Sequence, residues 1–179
     1  DARGEPGMAL GMGHQVLEVN QDGEVLMRLG EAGVPGDDET HFNGPAAVLV
    51  APNGEIWIAD GHRGGNNRVT KFSAEGDLLL QLGGGIDSLS RETSYFNDPH
   101  DLKMDSQGRV FVADRGNNRI QIFSQAGELL DIWTQFGRPS GIWIDSNDTI
   151  YVADGMSGAQ WNTGWQRGIR IGSAASGWI

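Results

Sequence analysis

Residues 96–114 read FNDPHDLKMDSQGRVFVAD, and two other segments of the chain align with them without gaps. These segments are FNGPAAVLVAPNGEIWIAD at 42–60 and FGRPSGIWIDSNDTIYVAD at 136–154. In each of them a proline follows the phenylalanine by three positions, and an aspartate follows the proline by fifteen. The same spacing in three places indicates an internal repeat.

The repeat continues beyond the closing aspartate. Residues 66–83 read NNRVTKFSAEGDLLLQLG and correspond to NNRIQIFSQAGELLDIW at 117–133. The earlier segment HQVLEVNQDGEVLMRLG at 14–30 is similar to both. The repeat unit is therefore about 40 residues long, with insertions in some copies.

Within a unit, apolar and polar residues alternate, as in EIWIA at 55–59 and RVFVA at 109–113, and turn-forming residues separate these stretches. The pattern predicts four short strands per unit and no long helix. Four strands in a unit of about 40 residues predict an all-β propeller, with the innermost strands at 45–51, 99–105 and 139–145. A β-sandwich or a parallel β-helix is the alternative, but sandwich strands do not repeat one spacing three times and β-helix coils are shorter.

The strand count predicts about half of a six-bladed ring, as one domain over residues 1–179. Its units are an outer pair of strands at about 14–30, full blades at 42–83 and 96–134, and a partial blade at 136–172. We count twelve strands in this arrangement, and a thirteenth is expected around 168–172.

An open arc of blades leaves sheet edges unpaired, which proteins normally avoid. The chain is therefore either a fragment of a longer protein or half of a homodimer that completes the propeller. In the two-fold dimer, residues 139–154 of one chain would lie beside residues 15–30 of its partner, and each junction would be a composite four-stranded blade.

The composition excludes several classes of function. The formal net charge of −11, from 13 basic and 24 acidic residues, repels nucleic-acid phosphates and anionic lipids, so neither nucleic acid nor membrane is an expected partner. The chain has no cysteine, which removes disulfides, thiolate nucleophiles and cysteine-bound zinc and leaves the cellular compartment open.

The repeats, with the signature VADRGNNRIQIF at 112–123, resemble the NHL-repeat propellers, and among these the peptidyl-α-hydroxyglycine α-amidating lyases. The order of elements at 13–62, the Phe-x-x-Pro-His segment at 96–100 and the Ala-Asp-Arg segment at 113–115 carry the second resemblance. It covers about half of the lyase propeller and implies a zinc-dependent C–N cleavage that releases glyoxylate. It also implies a secreted or periplasmic location. The alternative is a non-catalytic NHL scaffold that binds a ligand or a protein.

The resemblance implies a metal ligand in this chain. In the lyases, three histidines from alternate blades hold a zinc ion, and His100 matches one of them, directly after the blade proline. The equivalent residues of the neighbouring blades are Ala46 and Ser140, and the blades that would carry the other two ligands are absent. The alternative is a histidine at the channel rim without metal. A structural calcium ion is a further expectation for the full-length family propeller.

Two catalytic residues are also implied. His62 stands where the lyases have a tyrosine, and Arg115 stands where they have an active-site arginine. A histidine of near-neutral pKa suits a base that takes the hydroxyl proton, and an arginine suits a substrate carboxylate. A mobile loop position for His62, and an ion pair with a neighbouring aspartate for Arg115, are the structural alternatives. A peptide or small-molecule ligand is expected at the channel mouth.

Other residues are expected to have structural roles because they recur in every blade. Turn or inter-strand hydrogen bonds are expected for Asp60, Asp114 and Asp154. Packing between blades is expected for Trp57, Phe111 and Tyr151. An unclosed edge or a partner surface would explain the tail residues Trp161, Trp165 and Trp178.

Overall fold

The computed structural model describes residues 12–84 and 95–179, which form antiparallel β-sheets. Within these residues the only helical element is a 3-10 turn, η1 (Arg115–Asn117). The prediction of an all-β fold is therefore confirmed. No helix in the described ranges is both long and apolar enough to cross a membrane.

The strands of each sheet follow one another in chain order. The first blade is represented by a two-stranded sheet, β1 (Val16–Val19) and β2 (Val25–Leu29). The second blade has four strands, β3 (Pro45–Val50), β4 (Ile56–Asp60), β5 (Arg68–Phe72) and β6 (Leu78–Gly83). The third blade also has four, β7 (Pro99–Met104), β8 (Val110–Asp114), β9 (Arg119–Phe123) and β10 (Leu129–Trp133).

The fourth blade has three strands, β11 (Gly141–Ile144), β12 (Thr149–Asp154) and β13 (Gly168–Ser173). The predicted thirteenth strand is thus confirmed, and it gives the partial fourth blade a third strand. Because β13 pairs with the whole length of β12, the composite blade of residues 139–154 and a partner's residues 15–30 is contradicted in its four-stranded form. The homodimer itself stays a prediction.

The predicted innermost strands are confirmed. Strands β3, β7 and β11 each lie at one edge of their sheet, and β7 contacts both β3 and β11. Such a succession of edge strands is expected around the central channel of a propeller. The first residues of these strands therefore lie at one end of the channel.

Apolar side chains fill the spaces between blades. Trp57 is fully buried between the second and third blades, and Phe111 is fully buried between the third and fourth, 5.4 Å from Trp133 between ring centroids. Both were expected there. Tyr151, at the same repeat position, lies instead on the open face of the fourth blade, opposite Trp143 and Ile171. Its expected packing between blades would need a fifth blade, which the described residues do not contain.

The second, third and fourth blades each carry an ion pair between a buried aspartate at the end of the second strand and an arginine of the third strand. We call these pairs the Asp–Arg clamps: Asp60–Arg68 at 3.0 Å, Asp114–Arg119 at 2.6 Å and Asp154–Arg170 at 3.1 Å. Each aspartate also accepts a backbone N–H from the segment that precedes the inner strand, donated by Asn43, Asn97 and Arg138. The expected hydrogen-bonding role is confirmed, and the ion pairs extend it.

The Asp–Arg clamps hold the base of three loops, at 61–67, 115–118 and 155–167. All three connect the second strand of a blade to its third. Because the inner strand runs antiparallel to the second, these loops lie at the same end of the blades as the first residues of β3, β7 and β11. The loops, the first residues of the inner strands and the segments just before those strands are therefore close together at this end of the channel.

Candidate functional site

The three residues that the resemblance singled out lie together at the end of the channel where the inner strands begin. His62 lies in the loop at 61–67, His100 is the second residue of β7, and Arg115 is the first residue of η1. The imidazole rings of His62 and His100 are 4.9 Å apart between centroids, with an interplanar angle of 71°. Arg115 Nη2 lies 3.2 Å from His62 Nδ1. The second and third blades therefore contribute to one cluster.

Asp98 joins the members of this cluster and was not singled out from the sequence. Its Oδ2 accepts hydrogen bonds from Arg115 Nε at 2.9 Å and Nη2 at 2.5 Å, and its Oδ1 lies 3.2 Å from His62 Nδ1. Its backbone has a φ of 58° and its N–H donates to Asn67 Oδ1 at 2.8 Å. The signal in the sequence is an acidic residue before the blade proline, where the preceding blade has Gly44.

His100 is fixed by the fourth blade. Its Nδ1 lies 2.6 Å from the backbone carbonyl oxygen of Ser140. A carbonyl oxygen only accepts hydrogen bonds, so Nδ1 carries the proton and the lone pair of the neutral ring is on Nε2. A backbone carbonyl in this position is the usual support of a metal-binding histidine. The direction of the ring relative to the channel axis stays a prediction.

Burial and neighbouring charges favour the neutral form of both histidines. Burial lowers the pKa of His100, and the positive charge of Arg115 acts in the same direction. Burial also lowers the pKa of His62. The charges of His100 and Arg115 lower it further, whereas the negative charge of Asp98 raises it, and the net shift is downward. At neutral pH both rings are therefore uncharged, which suits a proton acceptor or a metal ligand.

Asp98 is held in its ionised form. Burial opposes ionisation, but the hydrogen bonds and the charge of Arg115 outweigh it, and the pKa of Asp98 lies below its usual value. Because Asp98 binds Arg115 through Nε and Nη2, only Nη1 has no hydrogen-bond partner in residues 12–84 and 95–179. This remaining nitrogen is a donor that a carboxylate ligand could use.

The described residues do not complete a metal site by themselves. Among them, no group of three or more histidine, aspartate or glutamate side chains could hold a metal ion. His100 offers one imidazole lone pair, whereas a catalytic zinc ion usually has three protein ligands. A zinc ion on His100 would therefore need ligands from outside the described part of the chain, and the zinc and calcium expectations stay predictions.

Comparisons with known proteins agree with the repeat pattern. The NHL repeat family model matches residues 42–72 and 96–123. A probable peptidyl-α-hydroxyglycine α-amidating lyase of Caenorhabditis elegans is 41% identical over 113 residues, which are 62% of this chain and 31% of that protein. Human NHL repeat-containing protein 3 is 40% identical over 124 residues, which are 68% of this chain and 35% of that protein.

A longer match is found with peptidyl-glycine α-amidating monooxygenase B of Xenopus laevis, 37% identical over 155 residues, or 79% of this chain and 18% of that protein. The chain thus spans about a third or less of the length of the curated relatives named here. Activities of the whole relatives are consequently proposals for this protein.

Solved structures support the fold. Hydrazine synthase of Kuenenia stuttgartiensis superimposes with a TM-score of 0.62 at 16% identity, covering 92% of this chain and 41% of that one. Virginiamycin B lyase of Staphylococcus aureus gives a TM-score of 0.51 at 15% identity, covering 78% and 41%. The chain therefore carries NHL repeats at 42–72 and 96–123, has the β-propeller fold, and is similar in sequence to the peptide-amidating enzymes.

Proposed function

We propose that the protein provides the catalytic face of a lyase that cleaves peptidyl-α-hydroxyglycines into a peptide amide and glyoxylate. The observation that carries the proposal is the cluster of His62, Asp98, His100 and Arg115, which two blades bring together at the channel end. Relatives named amidating lyases support the choice of reaction.

The reaction needs a base and a cation. Neutral His62 takes the proton of the substrate's α-hydroxyl group through Nε2, in the tautomer whose Nδ1–H donates a hydrogen bond to Asp98 Oδ1. The C–O bond becomes a carbonyl as the C–N bond breaks, and the electron pair leaves with the nitrogen, which takes up a proton. No water is consumed. The products are the amide and glyoxylate.

Arg115 holds the substrate carboxylate through Nη1, and Asp98 positions Arg115. His100 would be one zinc ligand, through Nε2, in a site completed by residues outside the described ranges. A bound zinc ion would stabilise negative charge on the substrate oxygen. The chain's own residues bind the carboxylate and move the proton.

Glyoxylate release from N-benzoyl-α-hydroxyglycine, in buffer with added zinc, tests the proposal. We expect His62→Ala to lower kcat by about 100-fold or more, because it removes the base. Arg115→Gln should mainly raise KM. The matched control is His41→Ala, since His41 interacts with Asp38 and Glu31 in a separate loop and should leave turnover unchanged.

His100→Ala should lose both turnover and bound zinc. Full zinc content and full turnover in this variant would remove the metal role. A wild-type protein that releases no glyoxylate in the presence of zinc would contradict the proposed reaction as a whole.

A further inference from the structure

The loop of the fourth blade is much longer than its counterparts. It spans residues 155–167, whereas the equivalent loops span 61–67 and 115–118. It is not loosely attached, because Ser157 donates to Asp154 at 2.5 Å and Asn162 donates to Ser157 at 3.0 Å. The fourth blade therefore presents a hydrogen-bonded extension at the same end of the blades as the cluster of His62 and Arg115.

Arg138 connects this loop to the cluster. Its Nη1 donates to the backbone carbonyl of Arg115 at 3.0 Å and to Asn118 Oδ1 at 3.2 Å. Its Cζ lies 4.9 Å from the ring centroid of Trp161. The residue is only 7% exposed, and its Nε is buried without a hydrogen-bond partner in the described chain. The Arg138 side chain thus contacts both the ring of Trp161 and the backbone of Arg115.

The ring of Trp161 remains accessible. It is 44% exposed, although the guanidinium of Arg138 lies over it. An unclosed edge or a partner surface was the expected explanation of this tryptophan and stays a prediction; the structure places the ring against a buried arginine. Because a cation already interacts with the ring's π-electrons, a second cation is disfavoured there, and an apolar or aromatic group is the better ligand.

We propose that Trp161 binds the apolar side chain of the residue that precedes the reacting glycine of a peptide ligand. This inference rests on the proposed function, because Arg115 sets the place of the carboxylate. Consecutive residues of an extended peptide are about 3.3 to 3.6 Å apart. When Arg115 binds the carboxylate of the glycine, the residue before that glycine therefore lies close to the side chains that surround Arg115. Arg115 Nη1 holds the carboxylate, and the ring receives the apolar side chain.

Calorimetric titration with two inert peptides tests the inference without any turnover. N-acetyl-Phe-Gly and N-acetyl-Gly-Gly share the C-terminal carboxylate and lack the reactive hydroxyl. We expect N-acetyl-Phe-Gly to bind the wild-type protein about tenfold more tightly than N-acetyl-Gly-Gly, because one aromatic contact contributes an affinity gain of about this size. Trp161→Ala should remove this preference, and Trp161→Phe should keep most of it.

Trp165→Ala is the matched control. Trp165 belongs to the same loop but stacks on Arg170, 4.9 Å from its Cζ, and its loss should leave the preference unchanged. The thermal midpoint of each variant checks that it is folded. Equal binding of the two peptides to the wild type, no binding of either, or a preference that survives in Trp161→Ala would each overturn the inference. A preference that depends on Trp161 in a protein without lyase turnover would support the subsite and contradict the proposed reaction.

Discussion

Asp98→Asn is the substitution that tests the cluster most directly. Asparagine has nearly the same shape as aspartate, and it tolerates the left-handed backbone conformation that Asp98 adopts, with φ of 58°. The backbone should therefore be unchanged. What is lost is the negative charge and one of the two acceptor oxygens that bind Arg115 and His62.

The contacts of Asp98 set the size of the effect. Asp98 Oδ2 accepts two hydrogen bonds from Arg115, and Oδ1 faces His62. The side-chain amide of asparagine has one acceptor oxygen and one donor nitrogen, so it cannot accept hydrogen bonds on both sides. A hydrogen bond to a charged group contributes about 1.5 to 3 kcal/mol. The side chains of Asp98 and Arg115 are 14% and 11% exposed, so water replaces part of the loss. We expect the free energy of unfolding to fall by about 2 kcal/mol.

The pKa of His62 gives a second, independent measurement. The charge of Asp98 raises this pKa against the effect of burial, so Asp98→Asn should lower the pKa of His62 further. Urea unfolding measures the stability, and proton NMR of the imidazole measures the pKa, with His62→Gln to assign the resonance. Asp77→Asn, in an exposed turn, is the control and should change stability by less than about 0.5 kcal/mol. A similarly small change for Asp98→Asn, or an unchanged or raised pKa of His62, would refute the reasoning.

Three other outcomes are expected. Trp57→Ala should lower the free energy of unfolding by about 3 to 5 kcal/mol in urea titrations, because the ring is fully buried between two blades; a loss below about 1 kcal/mol would contradict the packing. The pKa values of His62 and His100 lie below their ordinary value of 6.5, so their contribution to stability is complete above pH 6.5 and is lost as the pH falls through the folded values. Thermal midpoints at falling pH should therefore decline less in His62→Gln/His100→Gln than in the wild type, and an equal decline would be inconsistent with this linkage. Light scattering should give twice the 19.3 kDa of one chain if the predicted homodimer forms, and a monomer at micromolar concentration argues against it.

The periodic features of the fold could be predicted from the sequence because they recur. The spacing from Pro99 to Asp114 occurs in three copies, and it located every inner strand. The third strand of the fourth blade was harder to place, because a loop of thirteen residues separates it from Asp154. The long connection departs from the repeat spacing, so the spacing alone did not show that β13 pairs with β12.

The site was predicted less completely. His62, His100 and Arg115 were found through the family resemblance, and the structure brings them together. Asp98 and Arg138 were missed as members of this region because both occupy the variable position before the blade proline. Only the folded arrangement shows that one neutralises Arg115 and that the other supports its backbone.

The Asp–Arg clamps have a consequence for engineering. Each clamp fixes the two ends of a connection whose length ranges from four to thirteen residues, while the sheet beneath keeps the same antiparallel pairing. Loop-closure entropy changes slowly with length, so the sheet is little affected by what is inserted above it. Chimeras that exchange these connections between blades should therefore fold, and they would allow new recognition surfaces to be grafted onto an unchanged scaffold.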